Sequence, residues 1–508
     1  MNLWSWALLA AALLGAAALA SLWSAGRFAA RRRGKPAQAL APGQGATLDL
    51  LLIPLEAAHP ESSAAALIEA PVEALAARLA LARLAERSLD LLYYIWEDDL
   101  SGRLLAEALL QAADRGVRVR LLLDDVNVLG RDPVYRSLDR HPRIEVRLFN
   151  PIRNRDRGLR RGLEILVSLM PYNRRMHGKL WISDGRLAIS GGRNIGDSYF
   201  DLLAAGQGAN YLDLDTLLAG PVLRDAEALF DRFWNSDLAL PIRHLWLGRS
   251  TRLSRFRTRL SRGLNHPDQR ARLAALALPP PEDDLAALRL VALHWGGAVT
   301  LLGDPPQKAL GTRRDGWMPG ALLPILRSAK TDLCILTPYF VPGAQGLREL
   351  LALSRAGVRV TVITNGLALA DNVLVHGAYR WYRKRLLAAG VRIHEVAPVD
   401  RPARMLHSKA FVVDGTSAFV GSFNFDLRSA FLNTELGVVI DDPALVAGIE
   451  GIVAHICAPA NAYAVTMKGR LPLWSRGSMA HSQIEPDSNA LKRAVSFVIG
   501  HLPIHRFL

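Results

Sequence analysis

From about residue 74 onward, short apolar runs alternate with stretches of helical spacing. A helical pattern at residues 74–85 leads into an apolar strand at 89–96, a helix over 104–113 and a second strand at 116–124. The same order returns at 331–336, 347–354 and 357–364. Both helix-to-strand joins carry the tetrapeptide Gly-Val-Arg-Val, beginning at Gly116 and Gly357. Strand–helix–strand units with wholly apolar strands predict a largely parallel sheet covered by helices. Repetition of the unit predicts two similar α/β domains, over residues 71–240 and 316–460. Each half then closes on a hairpin, with Asp184-Gly185 between residues 180–183 and 187–190, and Asp414-Gly415 between 411–413 and 418–421. Asp-Gly between apolar runs is a strong hairpin signal, because the tight turn needs positive φ at both central positions.

The flanks read differently. Residues 1–26 carry no charged side chain and are rich in Leu and Ala, enough to span a hydrocarbon core of about 30 Å. Trp4, Trp6 and Trp23 mark the two ends, and Arg27, Arg31, Arg32, Arg33 and Lys35 follow. This predicts a single N-terminal transmembrane helix with the remainder of the chain on the cytoplasmic side. A cleaved signal peptide is the rival reading, since Ala18-Leu-Ala20 suits a processing site, but such peptides carry their positive charge ahead of the apolar run. Residues 27–70, broken by Pro36, Pro42, Gly43, Gly45 and Pro60, read as a linker apart from a short apolar run at 48–53. Residues 241–315 read as a basic insertion and 461–508 as a C-terminal tail.

Composition narrows the partners. At 508 residues the chain is too long for one compact core, and with half its residues hydrophobic it is not disordered. A net charge of +15 calls for a negatively charged partner. Two cysteines, Cys334 and Cys457, exclude a disulfide framework or a zinc module. Residues 243–272 hold nine arginines against one acid, Asp268, interleaved with Leu245, Trp246, Leu247, Leu253, Phe256 and Leu260. Together with 153–161 and 379–385, this mixture of arginine with aromatic and aliphatic side chains suits contact with anionic headgroups. The membrane and its anionic phospholipids are therefore the expected partners, and nucleic acid is not.

The chemistry lies in a doubled motif, His177-x-Lys179-x4-Asp184 and His407-x-Lys409-x4-Asp414, at matching places in the two halves. In a strand, residues two apart share a face, so each imidazole projects beside an ammonium. Lysines can hold the non-bridging oxygens of a phosphodiester while one histidine attacks phosphorus and the other protonates the departing alcohol. That scheme needs no metal and no cofactor. One His-x-Lys pair is usually a surface feature; two in register are not. The chain has eight lysines against 54 arginines, yet two of the eight occupy this position, where a compact point charge is wanted rather than a planar fork. The match continues: Gly191 and Gly421, then Asn194 and Asn424, fall at equal distances after their histidines. Counting back from Pro221 and Pro443, Asp213 and Glu435 are equivalent, and are candidates to orient an imidazole through its second nitrogen.

These two signatures resemble those of the phospholipase D superfamily. Within it, residues 93–99, 118–125, 191–197, 421–429 and 432–435 are similar to bacterial cardiolipin synthases of the C type. The similarity runs from about residue 75 to the C-terminus and is weakest across 243–310. It does not include the N-terminal apolar segment. The resemblance implies two pseudo-twofold-related α/β/α sandwich domains at a bacterial inner membrane. It also implies phosphatidyl transfer from an anionic or zwitterionic phospholipid onto phosphatidylglycerol through a covalent phosphohistidine. Hydrolases that release phosphatidic acid, and nucleases, share the same catalytic set, so transfer and hydrolysis both stay open, as does the choice of attacking histidine.

Overall fold

The computed structural model describes residues 3–155, 158–245, 252–289, 293–311, 315–399, 402–469 and 471–501. Trp246 and Leu247 of the basic segment lie outside the described residues. Two sheets form the frame. The first contains β1 (Ala64–Ile68), β2 (Ser88–Tyr93), β3 (Arg118–Asp124), β4 (Ile144–Phe149), β5 (Leu180–Ser183), β6 (Leu187–Gly191), β7 (Asp215–Ala219) and β8 (Ala239–Pro241). The second contains β9 (Ala298–Gly303), β10 (Asp332–Leu336), β11 (Arg359–Asn365), β12 (Arg392–Val396), β13 (Lys409–Val413), β14 (Ser417–Gly421), β15 (Leu436–Asp441) and β16 (Ala462–Lys468).

Among these strands the spatial order is β1-β7-β6-β5-β2-β3-β4-β8 in one sheet and β9-β15-β14-β13-β10-β11-β12-β16 in the other, the same path traced twice; His294–Trp295 extends the first sheet beside β1, and Leu471–Arg476 and Met479–Ser482 extend the second beyond β16. The expectation of a largely parallel sheet is corrected. Only β2, β3, β4 and their counterparts β10, β11, β12 run parallel; every other ladder among these strands is antiparallel. Helical crossovers can join parallel neighbours, whereas the Asp-Gly turns join antiparallel ones. Asp184 and Asp414 adopt φ of 52° and 50°, and the glycines after them 67° and 64°, as that turn requires.

Three stretches set apart from the domains by sequence belong to the sheets. The segment 27–70, expected as a linker, contains a helix (Thr47–Ala58) that buries Leu48 and Leu52, followed by β1. β1 begins Ala-Ala-Ala, a composition with little strand propensity, and is held in place by pairing with β7. Its counterpart β9 lies inside the expected basic insertion and pairs with β15. The expected tail supplies β16, paired with β12 as β8 is with β4. Helix Leu253–Leu264 of the arginine-rich segment docks on the first domain through buried Phe256, Leu260 and Leu264. Arg257 pairs with Asp114, and Arg272, further along the same segment, with Asp197.

At the N-terminus, residues Leu3–Arg32 form one helix (α1) whose Leu8 and Leu19 are 71% and 70% exposed. Among the described residues no helix is long and apolar enough to cross a membrane.

Candidate active site

The two repeats meet through a reciprocal exchange of backbone. Arg404–Leu406, just ahead of His407, pairs in parallel with Asn210–Leu212 of the first repeat. Met176, just ahead of His177, bridges to Thr434 of the second. The His407 N–H then donates to the Leu212 carbonyl at 2.7 Å and the His177 N–H to the Thr434 carbonyl at 2.8 Å. Each bond brings a histidine beside the acid that follows the accepting residue, and that acid belongs to the other repeat. His177 Nδ1 lies 2.8 Å from Glu435 Oε2, and His407 Nδ1 lies 2.5 Å from Asp213 Oδ2. The motif histidines thus sit at the mouths of β5 and β13 rather than inside them, in the seam between repeats.

The acids are themselves fixed. Glu435 accepts from Ser422 Oγ at 2.5 Å and Ser429 Oγ at 2.8 Å. Asp213 reaches its place only because residue 192 is glycine; a Cβ there would come within 2.0 Å of Asp213 Oδ1. A carboxylate can only accept, so each imidazole presents Nδ1–H to its acid and keeps a lone pair on Nε2.

Lys179 and Lys409 are buried beside the histidines, and each ammonium donates to the carbonyl of its own motif histidine. They differ in one respect. Lys409 Nζ lies against the His407 ring, 2.7 Å from Nδ1 and 3.1 Å from Nε2, whereas His177 Nε2 has no hydrogen bond among the described residues. Burial drives the His177 pKa down to about 4 and that of His407 to about 3, with the lysines pushing the same way and the paired acids opposing. Burial also takes Lys179 to about 7 and Lys409 to about 8. Burial would raise Asp213, but Lys409 and His407 hold it far below the ordinary carboxylate range. Glu435 is lowered in the same way, chiefly through His177. A buried nest with two cations and neutral imidazoles is suited to receive an anion such as a phosphodiester.

Asp184 and Asp414, expected among the catalytic residues, are not brought to the pair. Seven residues of extended chain separate each from its histidine, a distance of about 20 Å. Asp184 accepts the backbone N–H groups of Glu86, Arg87 and Ser88, and Asp414 those of Lys330, Thr331 and Asp332. Each carboxylate pins its hairpin to the strand beside it. Asn194 is likewise committed, accepting from the Ile95 N–H at 3.1 Å and donating to Tyr199 at 2.7 Å. Asn424 differs: its Oδ1 is buried with no hydrogen-bond partner among the described residues.

Sequence reasoning missed the aromatic frame. Tyr94 meets the His177 ring edge-on at 4.9 Å, Tyr199 meets His407 edge-on at 5.3 Å, and Tyr211 stacks on His407 at 4.8 Å. Tyr94 lies within the stretch 93–99 and Tyr199 just beyond 191–197, which was the available signal; nothing local marks Tyr211.

Comparison with known proteins agrees with this geometry. The chain is 40% identical over 408 residues to cardiolipin synthase C of Escherichia coli K12, covering 78% of this chain and 85% of that one. It is 32% identical over 462 residues to an uncharacterized protein of Helicobacter pylori strain 26695, covering 86% and 88%. Among solved structures, phosphatidylserine synthase of Haemophilus influenzae Rd KW20 aligns with a TM-score of 0.53 at 16% identity, over 77% of this chain and 85% of that one, a likeness of fold. The family described as cardiolipin synthase, PLD-like domain, matches residues 79–215 and again 322–456. With a match in each repeat and both histidine–lysine pairs inside the matched segments, the chain belongs to the cardiolipin synthase, PLD-like domain family.

Proposed function

We propose that this protein is a cardiolipin synthase that moves a phosphatidyl group onto a hydroxyl of phosphatidylglycerol by two successive displacements at phosphorus. The observation that carries the reading is the pair of crossed histidine–acid couples with two buried lysines between them. His177 is assigned the attack, supported by its uncapped Nε2 and by the Glu435 carboxylate that stabilises positive charge as the P–N bond forms. His407 Nε2 takes a proton from the Lys409 ammonium, 3.1 Å away, and passes it to the departing alkoxide, leaving Lys409 neutral until the second step returns the proton. In the second step the acceptor hydroxyl passes its proton to His407, its oxygen attacks phosphorus, and the bond to His177 breaks. The unpartnered Asn424 Oδ1 is an acceptor available to that incoming hydroxyl. Asp213 and Glu435 act as positioning residues, and Lys179 and Lys409 hold the non-bridging oxygens.

The N-terminal helix is assigned as a membrane anchor with the catalytic repeats on the cytoplasmic side. Its support is the uncharged run 1–26, the exposed leucines of α1 and the basic cluster that follows. A reporter fused at the C-terminus should give a cytoplasmic signal; a periplasmic signal would reverse this orientation.

The activity test supplies labelled phosphatidylglycerol to the purified protein in mixed micelles, alone and with phosphatidylethanolamine. Cardiolipin and a released small alcohol are expected. Phosphatidic acid as the sole product would assign hydrolysis instead.

A further inference from the structure

The repeats share a framework but differ in what fills the space between each sheet and its outer helices. In the first repeat the part of that space beside the helix Pro71–Leu84 is filled. Arg78 and Arg193 both pair there with Asp215, at 2.9 and 3.4 Å, and all three side chains are buried. The Phe200 ring, fully buried, lies 5.7 Å from the Arg78 guanidinium. Counting from each histidine, the places of Arg193 and Phe200 are taken in the second repeat by Phe423 and Ala430. Sheet register makes Gly437 the counterpart of Asp215, since Gly191 pairs with Asp215 and Gly421 with Gly437. Ten residues ahead of the equivalent Ser88 and Asp332 stand Arg78 and Leu322.

A buried ion-pair cluster has thus become apolar, and a phenyl ring has become a methyl group. The result is a cavity of about 350 Å³ whose walls include Leu322, Leu326, Phe411, Phe423, Leu427 and Ala430. That volume falls in the range of ligand sites, roughly 300–1,000 Å³.

Its position ties it to the chemistry. Phe411, in its wall, follows Lys409 by two residues in β13, so both side chains share a face of the sheet, about 7 Å apart along the strand. Phe425 and Asp426 of another wall directly follow Asn424. The helix Leu427–Phe431 closes one side, and Arg428 on it donates to Asn173 Oδ1 at 2.7 Å. Asn173 ends the helix Leu169–Tyr172, which, with the helix Leu159–Val167 before it, exposes Leu159, Leu166 and Met170 at 80%, 63% and 64%. The latter helix also lies alongside α1. An apolar surface next to the N-terminal helix therefore adjoins the cavity wall.

We propose that this cavity holds one acyl chain of the phospholipid whose phosphate occupies the histidine pair, the chain passing in from the bilayer across the surface formed by residues 159–172. The proposal rests on the phosphatidyl-transfer reading above. It gives the site a direction that two equal repeats would lack, because the equivalent place in the first repeat is filled by Arg78, Arg193, Asp215 and Phe200, and that repeat's own cavity, of about 530 Å³, lies elsewhere, against Leu121, Tyr135 and Phe256 with Glu97 and Asp98 in its wall.

The test has two arms. In the first, Ala430→Phe restores the ring that fills the first repeat. The ratio of kcat/KM for dioleoyl- over dihexanoyl-phosphatidylglycerol should fall at least tenfold; an unchanged ratio in a folded variant overturns the proposal. Leu427→Trp repeats the measurement from the opposite wall in case the first variant fails to fold. In the second arm, phosphatidylglycerol with a diazirine midway along one chain is photolysed on the wild-type protein in mixed micelles. Labelled peptides should contain Leu322, Phe423 or Leu427, and labels confined to α1 or to the 159–172 surface overturn the proposal. Labelling does not depend on turnover. Cavity labels without cardiolipin formation would therefore sink the synthase reading and keep the acyl site, and cardiolipin formation without cavity labels would do the reverse.

Discussion

Replacing Glu435 by Gln should damage the chemistry of a histidine 258 residues away in the chain. Glu435 Oε2 stands 2.8 Å from His177 Nδ1, fully buried, and is braced by Ser422 and Ser429. The amide is nearly isosteric, so the cavity-forming cost is small and the loss is one of charge. A hydrogen bond to a charged group contributes about 1.5–3 kcal/mol. It counts most when His177 becomes cationic as it bonds to phosphorus, so formation of the phosphoenzyme should slow by about 10- to 150-fold. An amide can also present its N–H₂ to the ring, selecting the wrong tautomer, and that adds to the loss; in the serine-protease triad the analogous change costs about 10⁴. The assay is rapid quench of ³²P-labelled phosphatidylglycerol turnover, reading phosphohistidine directly. A second readout separates positioning from mere folding. Glu435 raises the His177 pKa against burial, so histidine-labelled NMR should show His177 titrating still lower in the variant while His407 is unmoved. Full activity in Glu435→Gln, or a shift at His407 in place of His177, would refute the crossed arrangement.

Four further outcomes are expected. In His407→Ala, an activated ester whose leaving group needs no proton should still phosphorylate the protein, and peptide mapping should find the phosphate on His177; label elsewhere would reverse the assignment of roles. Asp184→Ala frees three backbone N–H groups, of which that of Ser88 is buried and those of Glu86 and Arg87 can turn to water, so melting experiments should show a loss of about 1–3 kcal/mol, chiefly from Ser88. The specific activity of the folded fraction should stay near wild type, and loss of activity without loss of stability would return Asp184 to the catalytic set. Lysines charge below their pKa, and Lys179 and Lys409 are lowered to about 7 and 8, so kcat/KM should decline above pH 7–8. A profile flat to pH 9 would contradict this. Lys179→Arg should fail to restore activity to the level of lysine, because the planar guanidinium does not fit a buried site built for a point charge; steady-state kinetics on the purified variant decide it.

Much of this protein can be read from local sequence. The two His-x-Lys pairs, their Asp-Gly turns and the repeated strand–helix–strand units each depend on residues a few positions apart, and covalent geometry then fixes which side chains travel together. The same locality misleads where pairing rather than propensity makes the structure. β1 opens on three alanines and becomes a strand because β7 lies beside it; β9 and β16 carry no sign that they complete a sheet. Asp184 and Asp414 belong to the motif by spacing, yet about 20 Å of strand carries them away from the histidines to bind backbone.

The sequence alone pointed to displacement at a phosphodiester and to the two candidate pairs, because an imidazole beside an ammonium, repeated in register, suits chemistry on an anion. Only the tertiary structure decided which acid serves which histidine. That choice depends on two backbone exchanges between segments some two hundred residues apart, Arg404–Leu406 with Asn210–Leu212 and Met176 with Thr434. The tertiary structure alone also revealed that the repeats are unequal. Arg78, Asp215 and Phe200 fill a space that Leu322, Gly437 and Ala430 leave open, and whether a space is filled depends on side chains from several elements meeting at one point.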